Sequence, residues 1–266
     1  MTHLTLLQYC AGLLAGGVVG FSLGLVGGGG SILAVPLLVY GVGVTDPHLA
    51  IGTSALAVAV SAGVNLFHHA RCGSVQWKIA GVFALAGVVG AWFGSLYGKA
   101  FDGQKLLTLF AVLMIGVGIS MLRTRCEEGR TVAQLDSHNA WRLVVAGGSA
   151  GAISGFFGVG GGFLIVPGLI YAARLPVLCA VGSSLVAVSA FAVTTAVNYA
   201  RSGWVDWGLA AVFVGGGALG GTVGASLSRR LSARGVLNRV FAGVVFLVGI
   251  YMVYRWAAVP LGRALV

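Results

Sequence analysis

Polar positions are rare along this chain, and they fall in clusters. Charged residues and histidine are absent from residues 4–45, 49–67, 79–98, 106–122, 143–173, 175–200, 207–228 and 240–254. A helix of about 20 apolar residues spans the hydrocarbon core of a bilayer, and a soluble domain has no use for eight such runs. The pattern predicts an all-α polytopic membrane protein. Composition agrees, because 8% of the residues are charged against about 25% in ordinary soluble domains.

Two of the runs are interrupted in the same way. Residues 25–36 read LVGGGGSILAVP and residues 157–167 read FGVGGGFLIVP. Each glycine in a helix interior costs roughly 1 kcal/mol relative to alanine, so tracts of three and four are helix breaks. The first break divides its run into 10–26 and 31–44, which as helices would be only ~26 and ~21 Å long. Such pieces could be two short spans, a re-entrant hairpin or one interrupted span. Ordinary spans follow at about 48–70, 77–99 and 105–122.

The breaks belong to a repeat. ARCGSVQW (70–77) and ARSGWVDW (200–207) share five of eight positions. IGTS (51–54) matches VGSS (181–184), Pro36 matches Pro167, and Gly90 and Gly94 match Gly220 and Gly224, always at an offset of 130 or 131. A constant offset over so long a stretch marks two homologous units. Residues 1–122 form the first transmembrane repeat, 123–142 a polar linker, and 143–266 the second repeat, with 8–10 membrane segments in total.

Charge then bears on topology. The net charge of +10 comes from short basic clusters between apolar runs, the kind of loop retained on the cytoplasmic side. If the second repeat is inverted, the linker (Arg123, Arg125, Arg130, Arg142) shares a face with Arg229, Arg230, Arg234 and Arg239, and Arg71 and Lys78 join them. A parallel arrangement would put the two richest clusters on opposite faces. The inverted reading fits better and makes the linker cytoplasmic. No basic patch is interleaved with stacking aromatics, so nucleic acid is not an expected partner. The first run lacks a preceding Lys or Arg and a small-residue cleavage site, and is expected to stay in the protein.

Irregular backbone at membrane depth is tolerated only inside protein or beside a watery cavity. Interrupted segments at matching places in two halves point to a transporter's binding site. The candidates for substrate contact are therefore Gly29, Gly30, Gly160 and Gly161, with Ser31 and Gly162 opening the next half-helices. Unpaired N–H groups and the positive dipole end at such starts favour an anion. Tight helix packing is the competing role for small residues, and the one expected of Gly90, Gly94, Gly220 and Gly224.

Thr53, Ser54, Ser183 and Ser184 are candidate uncharged donors, although such hydroxyls also bond their own helix backbone. Asn65 and Asn198 could face the anion or tie helices together. Arg71 and Arg201 could attract it electrostatically or anchor their spans by snorkelling. His68 and His69 could titrate near neutral pH, but fit a membrane interface.

All six acidic residues lie in loops or at helix ends, which argues against a cation path built on intramembrane carboxylates. Cys10, Cys72, Cys126 and Cys179 show neither CxxC pairing nor metal-ligand spacing. No HExxH helix, nucleophile-serine elbow or paired intramembrane Asp is read in the chain. No catalytic residue, metal site or cofactor is expected.

With the paired GGGGSILAVP and GGGFLIVP stretches, the GTSALAV and GSSLVAV segments and the ARCGSVQW and ARSGWVDW turns, the chain resembles the sulfite exporter TauE/SafE family of bacterial membrane transporters. The resemblance spans most of the chain. It implies a multi-pass protein of the bacterial inner membrane that moves small sulfur-containing anions or organic sulfonates. Export of sulfite is the usual direction. The expectation is a secondary transporter with alternating access around a midplane site formed by the two breaks. Its partners would be a small inorganic or organic anion and the lipid bilayer, and a homodimer is compatible with it. Another small anion (thiosulfate, sulfate, a carboxylate) or a non-transporting structural subunit are the alternatives.

Overall fold

A computed structural model of the protein describes residues 5–123 and 137–231, together with 243, 245, 246, 248–252 and 254. Most of the expected linker, and with it Cys126, Arg234 and Arg239, lies outside the described residues. The described residues are helical and contain no strand. The elements are α1 (Leu6–Val26), a 3₁₀ stretch Gly27–Leu33, a single α turn α2 (Ala34–Pro36), a π-helical turn Leu37–Val42, α3 (Pro47–Arg71), α4 (Trp77–Ala100), α5 (Gly103–Arg123), α6 (Ser137–Phe157), α7 (Gly162–Ala173), α8 (Val177–Arg201) and α9 (Trp207–Leu231).

Five stretches are long and apolar enough to cross a membrane: Leu6–Val42, Pro47–Arg71, Trp77–Ala100, Cys179–Arg201 and Trp207–Leu227. Gly103–Ile119 and Leu164–Ala173 are shorter apolar helices. Residues on the outer faces of α4 and α9, among them Val89, Phe93, Leu219 and Val223, are exposed. That is where a bilayer, not water, satisfies them. The protein is a multi-pass membrane protein.

Leu6–Val42 is unbroken helical backbone by type, but not one straight span. Gly27 adopts φ 69°, ψ −144°, a conformation that only glycine enters at low cost. Beyond it the chain doubles back. Gly30 packs against the backbone of Ser22 and Leu23, and Gly43 reaches the Gln8 side chain near the start of α1. The segment is thus a hairpin with both ends on one side. A second hairpin turns at Gly158–Gly161, all of whose glycines have positive φ, and α7 returns along α6.

Glycine spacing fixes how the hairpins dock. On α1, Gly16, Gly20 and Gly24 lie against the carbonyls of Phe213, Gly217 and Gly221 on α9; a Cβ at any of them would overlap those oxygens. On α6, Gly147, Gly151 and Gly155 lie in the same way against Phe83, Gly87 and Ala91 of α4. Both seams step by four residues, about one helical turn, and numbers rise together along the two partners. Each hairpin helix therefore runs parallel to its partner, and each hairpin packs on the opposite half of the chain.

The central pair, α3 and α8, runs the other way. Gly52 near the start of α3 meets the Trp204 carbonyl just past the end of α8, and Gly182 near the start of α8 meets the Ser74 carbonyl just past the end of α3. Two hydrogen bonds repeat this relation: Asp206 N donates to Thr53 Oγ1 at 3.0 Å and Gln76 N donates to Ser183 Oγ at 2.9 Å. The two ends of the bundle differ in charge. Asp46, Asp102 and Asp206 all lie at the end marked by Asp206, each accepting bonds from N–H groups of the helix it precedes. Carboxylates suit that position because they satisfy otherwise unpaired N–H groups and complement the helix dipole. At the Gln76 end the described loops carry Arg71, Lys78 and Arg174 and no acidic residue.

Candidate functional site

The two breaks meet. Gly28 and Gly162 are in direct backbone contact, so close that a Cβ on either would overlap the other. Around them, Val188 lies against both Gly28 and Gly160, and Val58 and Ala192 complete the apolar wall at Gly160. Val58 and Val188 sit near the middles of α3 and α8, so the junction is at mid-bundle. Gly27 and Gly158 share φ 69° and rest on equivalent side chains, Val181 and Ile51.

The breaks are then held differently. Gly28 N donates to Ser184 Oγ at 3.1 Å, and Ser184 Oγ donates onward to the Val181 carbonyl at 2.7 Å. Ser31 Oγ returns to the Gly28 carbonyl at 2.9 Å, and Ser31 is wholly buried. The first break is therefore tied by its own serine and by one from α8. In the second, Gly160 and Gly161 are left-handed, α7 starts directly at Gly162, and no side chain caps its N-terminus. Leu164 N and Ile165 N bond the Gly161 carbonyl at 2.9 and 3.2 Å. A helix N-terminus carries about half a positive charge, and here it points into the protein interior beside a bare glycine backbone.

Of the residues expected at the site, Gly160, Gly161, Gly162 and Ser184 lie at the junction through Gly28, Ser31 bonds the Gly28 carbonyl, Gly30 packs on α1, and Gly29 is buried between them. Others are placed elsewhere. Thr53 and Ser183 spend their hydroxyl oxygens on the Asp206 and Gln76 N–H groups, tying the starts of α9 and α4. Ser54 Oγ donates to the Ile51 carbonyl at 2.9 Å. Asn65 donates to the Ser61 carbonyl at 2.9 Å and faces Gly221. Asn198 donates to the Trp92 carbonyl and to Ser95 Oγ, tying α8 to α4. Arg71 lies 4.2 Å over the Phe67 ring and Arg201 5.6 Å over Trp92, at opposite ends of the bundle. Lys99 Nζ bonds the Asn198 carbonyl and Ser202 Oγ at 3.1 and 3.0 Å, closing the end of α8.

Sequence reasoning missed several buried polar atoms that have no partner among the described residues: Ser61 Oγ, Ser154 Oγ, Thr195 Oγ1, Tyr199 Oη and His48 Nδ1, besides Asn65 Oδ1. Leaving such a group unmade costs about 1–3 kcal/mol. A serine inside an apolar run was visible, but many serines and threonines among the described residues bond carbonyls three or four residues back, as Ser189 and Thr194 do. Only packing separates these from the exceptions. Gly147–Gly151 also spells G-x-S-x-G, which in hydrolases marks a strand-to-helix turn. Here it lies within α6, and Ser149 Oγ donates to the Ala146 carbonyl at 3.2 Å.

Two glycine hairpins that meet between antiparallel central helices belong to a helical, multi-pass membrane protein. The chain belongs to the sulfite exporter TauE/SafE family, whose family model matches residues 12–252, and that is a family of membrane transporters. A "Probable membrane transporter protein" of Xylella fastidiosa strain Temecula1 is 52% identical over 251 residues, covering 92% of this chain and 95% of its own. YunE of Bacillus subtilis strain 168, with the same description, is 26% identical over 265 residues, at 92% and 95% coverage. MJ0441 of Methanocaldococcus jannaschii is 28% identical over 177 residues, covering 63% of this chain and 65% of its own. No solved structure matches.

Proposed function

We propose that the protein is a secondary transporter exporting a small sulfur-containing anion, sulfite or an organosulfonate such as sulfoacetate, through a site where the two glycine breaks meet. The observation that carries this reading is the contact of Gly28 with Gly162 at mid-bundle, beside the uncapped start of α7. Peptide dipoles and neutral donors hold an anion without a buried cation, whose own desolvation would be costly. The family's name supplies the sulfur chemistry.

The halves, 1–122 and 143–266 about the linker 123–142, are inverted repeats in this proposal. Support comes from direction: α1 is parallel to α9, α6 is parallel to α4, and α3 is antiparallel to its counterpart α8. With α3 and α4 joined by a short turn, α1 and α6 must then point oppositely. Each hairpin is re-entrant from its own side. The Gln76 end, with Arg71, Lys78 and Arg174 and the ends of α5 and α9, is the cytoplasmic one by the excess of basic residues. Alternating access follows from rocking one half against the other about the α3–α8 contact. A potential of 100 mV, negative inside, favours outward movement of an anion by about 2.3 kcal/mol per charge.

The test is flux in proteoliposomes of the full chain, with sulfite, sulfate, thiosulfate and sulfoacetate as probes. Saturable sulfite or sulfoacetate movement, driven outward by an imposed negative-inside potential, is the expected result. Transport of none of the four overturns the proposal.

A further inference from the structure

Ser154 lies on α6, four residues before the second hairpin turns. It is 1% exposed, and its Oγ has no partner among the described residues. The side chain packs on Gly161: a Cβ built there would overlap Ser154 Cβ and lie 2.7 Å from its Oγ. Gly161 is the residue that precedes α7, and no side chain caps that 12-residue helix. An orphan hydroxyl and an uncapped helix start thus face one another, by independent observations, at the mid-bundle junction.

The other half does not repeat the arrangement. At the offset of 131 the counterpart of Ser154 is Leu23, apolar and wholly buried. The N–H of Gly28 in the first break is already bonded to Ser184 Oγ. Pseudo-symmetric scaffolding therefore ends in an asymmetric junction, with an unpartnered hydroxyl beside the helix start of the second break and none at the matching place in the first.

Resting on the transport reading above, we infer that Ser154 is a substrate-binding residue, whose hydroxyl and the start of α7 together form a single oxyanion subsite. One oxygen of the anion accepts the Ser154 O–H, and the α7 N-terminus holds its negative charge. A hydroxyl donor to an anion is stronger than a neutral pair, so losing it weakens binding about tenfold or more.

The experiment reconstitutes the full chain with sulfite as the probe and compares wild type, Ser154→Ala and Ser22→Ala, the last being the serine that packs against Gly30 in the first break. For Ser154→Ala, the KM for sulfite rises about tenfold or more and the sulfite-dependent rise in Tm is lost. The ligand-free Tm stays level or rises, because no protein contact has been removed. Ser22→Ala keeps the wild-type KM. A Ser154→Ala protein with unchanged KM overturns the inference and leaves the transport reading standing. So does one whose ligand-free Tm falls while sulfite still raises it, or an equal KM rise in Ser22→Ala. Failure of wild type to move any of the four anions overturns both.

Discussion

The two glycine breaks began as one motif, and the fold treats them unlike each other. The first winds through a 3₁₀ stretch and is tied by Ser184 from α8 and by its own Ser31. The second turns sharply through left-handed Gly160 and Gly161 and leaves α7 without a cap. Matching sequence supplies matching hairpins; the same serine reaches the first break as Ser184 but bonds only its own helix as Ser54, and Leu23 stands where the second half has Ser154. Repetition builds the frame, and departures from repetition set the two breaks apart.

The comparison is sharpened most by attacking the point where the breaks touch. Gly162→Ala puts a methyl into the Gly28 backbone, which cannot move aside as a flexible side chain would. Its expected cost is roughly 3 kcal/mol or more, as for other severe overpacking, read as a large drop in Tm in detergent and loss of flux. An unchanged Tm would mean that the breaks separate freely, and the convergent site would fail with it.

Ser184→Ala comes next. It strands the buried Gly28 N–H, at about 1–3 kcal/mol, whereas Ser54→Ala removes only a bond to its own helix and is expected to cost well under about 1 kcal/mol. Equal losses of Tm in the two variants would erase the difference drawn between the halves. Thr53→Ala and Ser183→Ala should cost about 1 kcal/mol each, and alike, since each ties the start of an equivalent helix. A change in sulfite KM without a fall in Tm would instead return those hydroxyls to the substrate. Smallest of all is Gly63→Ala or Gly81→Ala, where nothing lies within 4 Å of the added methyl. Helix propensity alone predicts a gain of up to roughly 1 kcal/mol, seen as a level or slightly raised Tm.

Much of the fold was legible before any coordinates. The offset of 130 or 131 already paired Thr53 with Ser183 and Pro36 with Pro167, and the contacts add Gly16 with Gly147 and Phe83 with Phe213 in matching roles. It left three readings of the stretch 10–44, because helix length and hydropathy are the same for a hairpin, a pair of short spans and a bent one. Contacts of Gly30 with Ser22 and of Gly43 with Gln8 show that the stretch doubles back, which excludes one continuous bent span. The candidate site was half legible. Glycine tracts announce themselves because they are costly in a helix, while hydroxyls do not, since Thr53, Ser54, Ser154 and Ser184 look alike until their neighbours are known.

By itself the sequence determined a helical membrane protein with two matching stretches at a constant offset, each broken by glycines at a fixed place. Those properties follow from local composition: apolar runs must be helices in lipid, and consecutive glycines interrupt them wherever they fall. Only the tertiary structure decided that the breaks touch, that Thr53 and Ser183 serve the helix starts of the opposite half, and that Ser154 is left with an unused hydroxyl. These are relations between residues more than 100 positions apart, or across a turn whose direction one left-handed glycine sets. No periodicity within a single run encodes them.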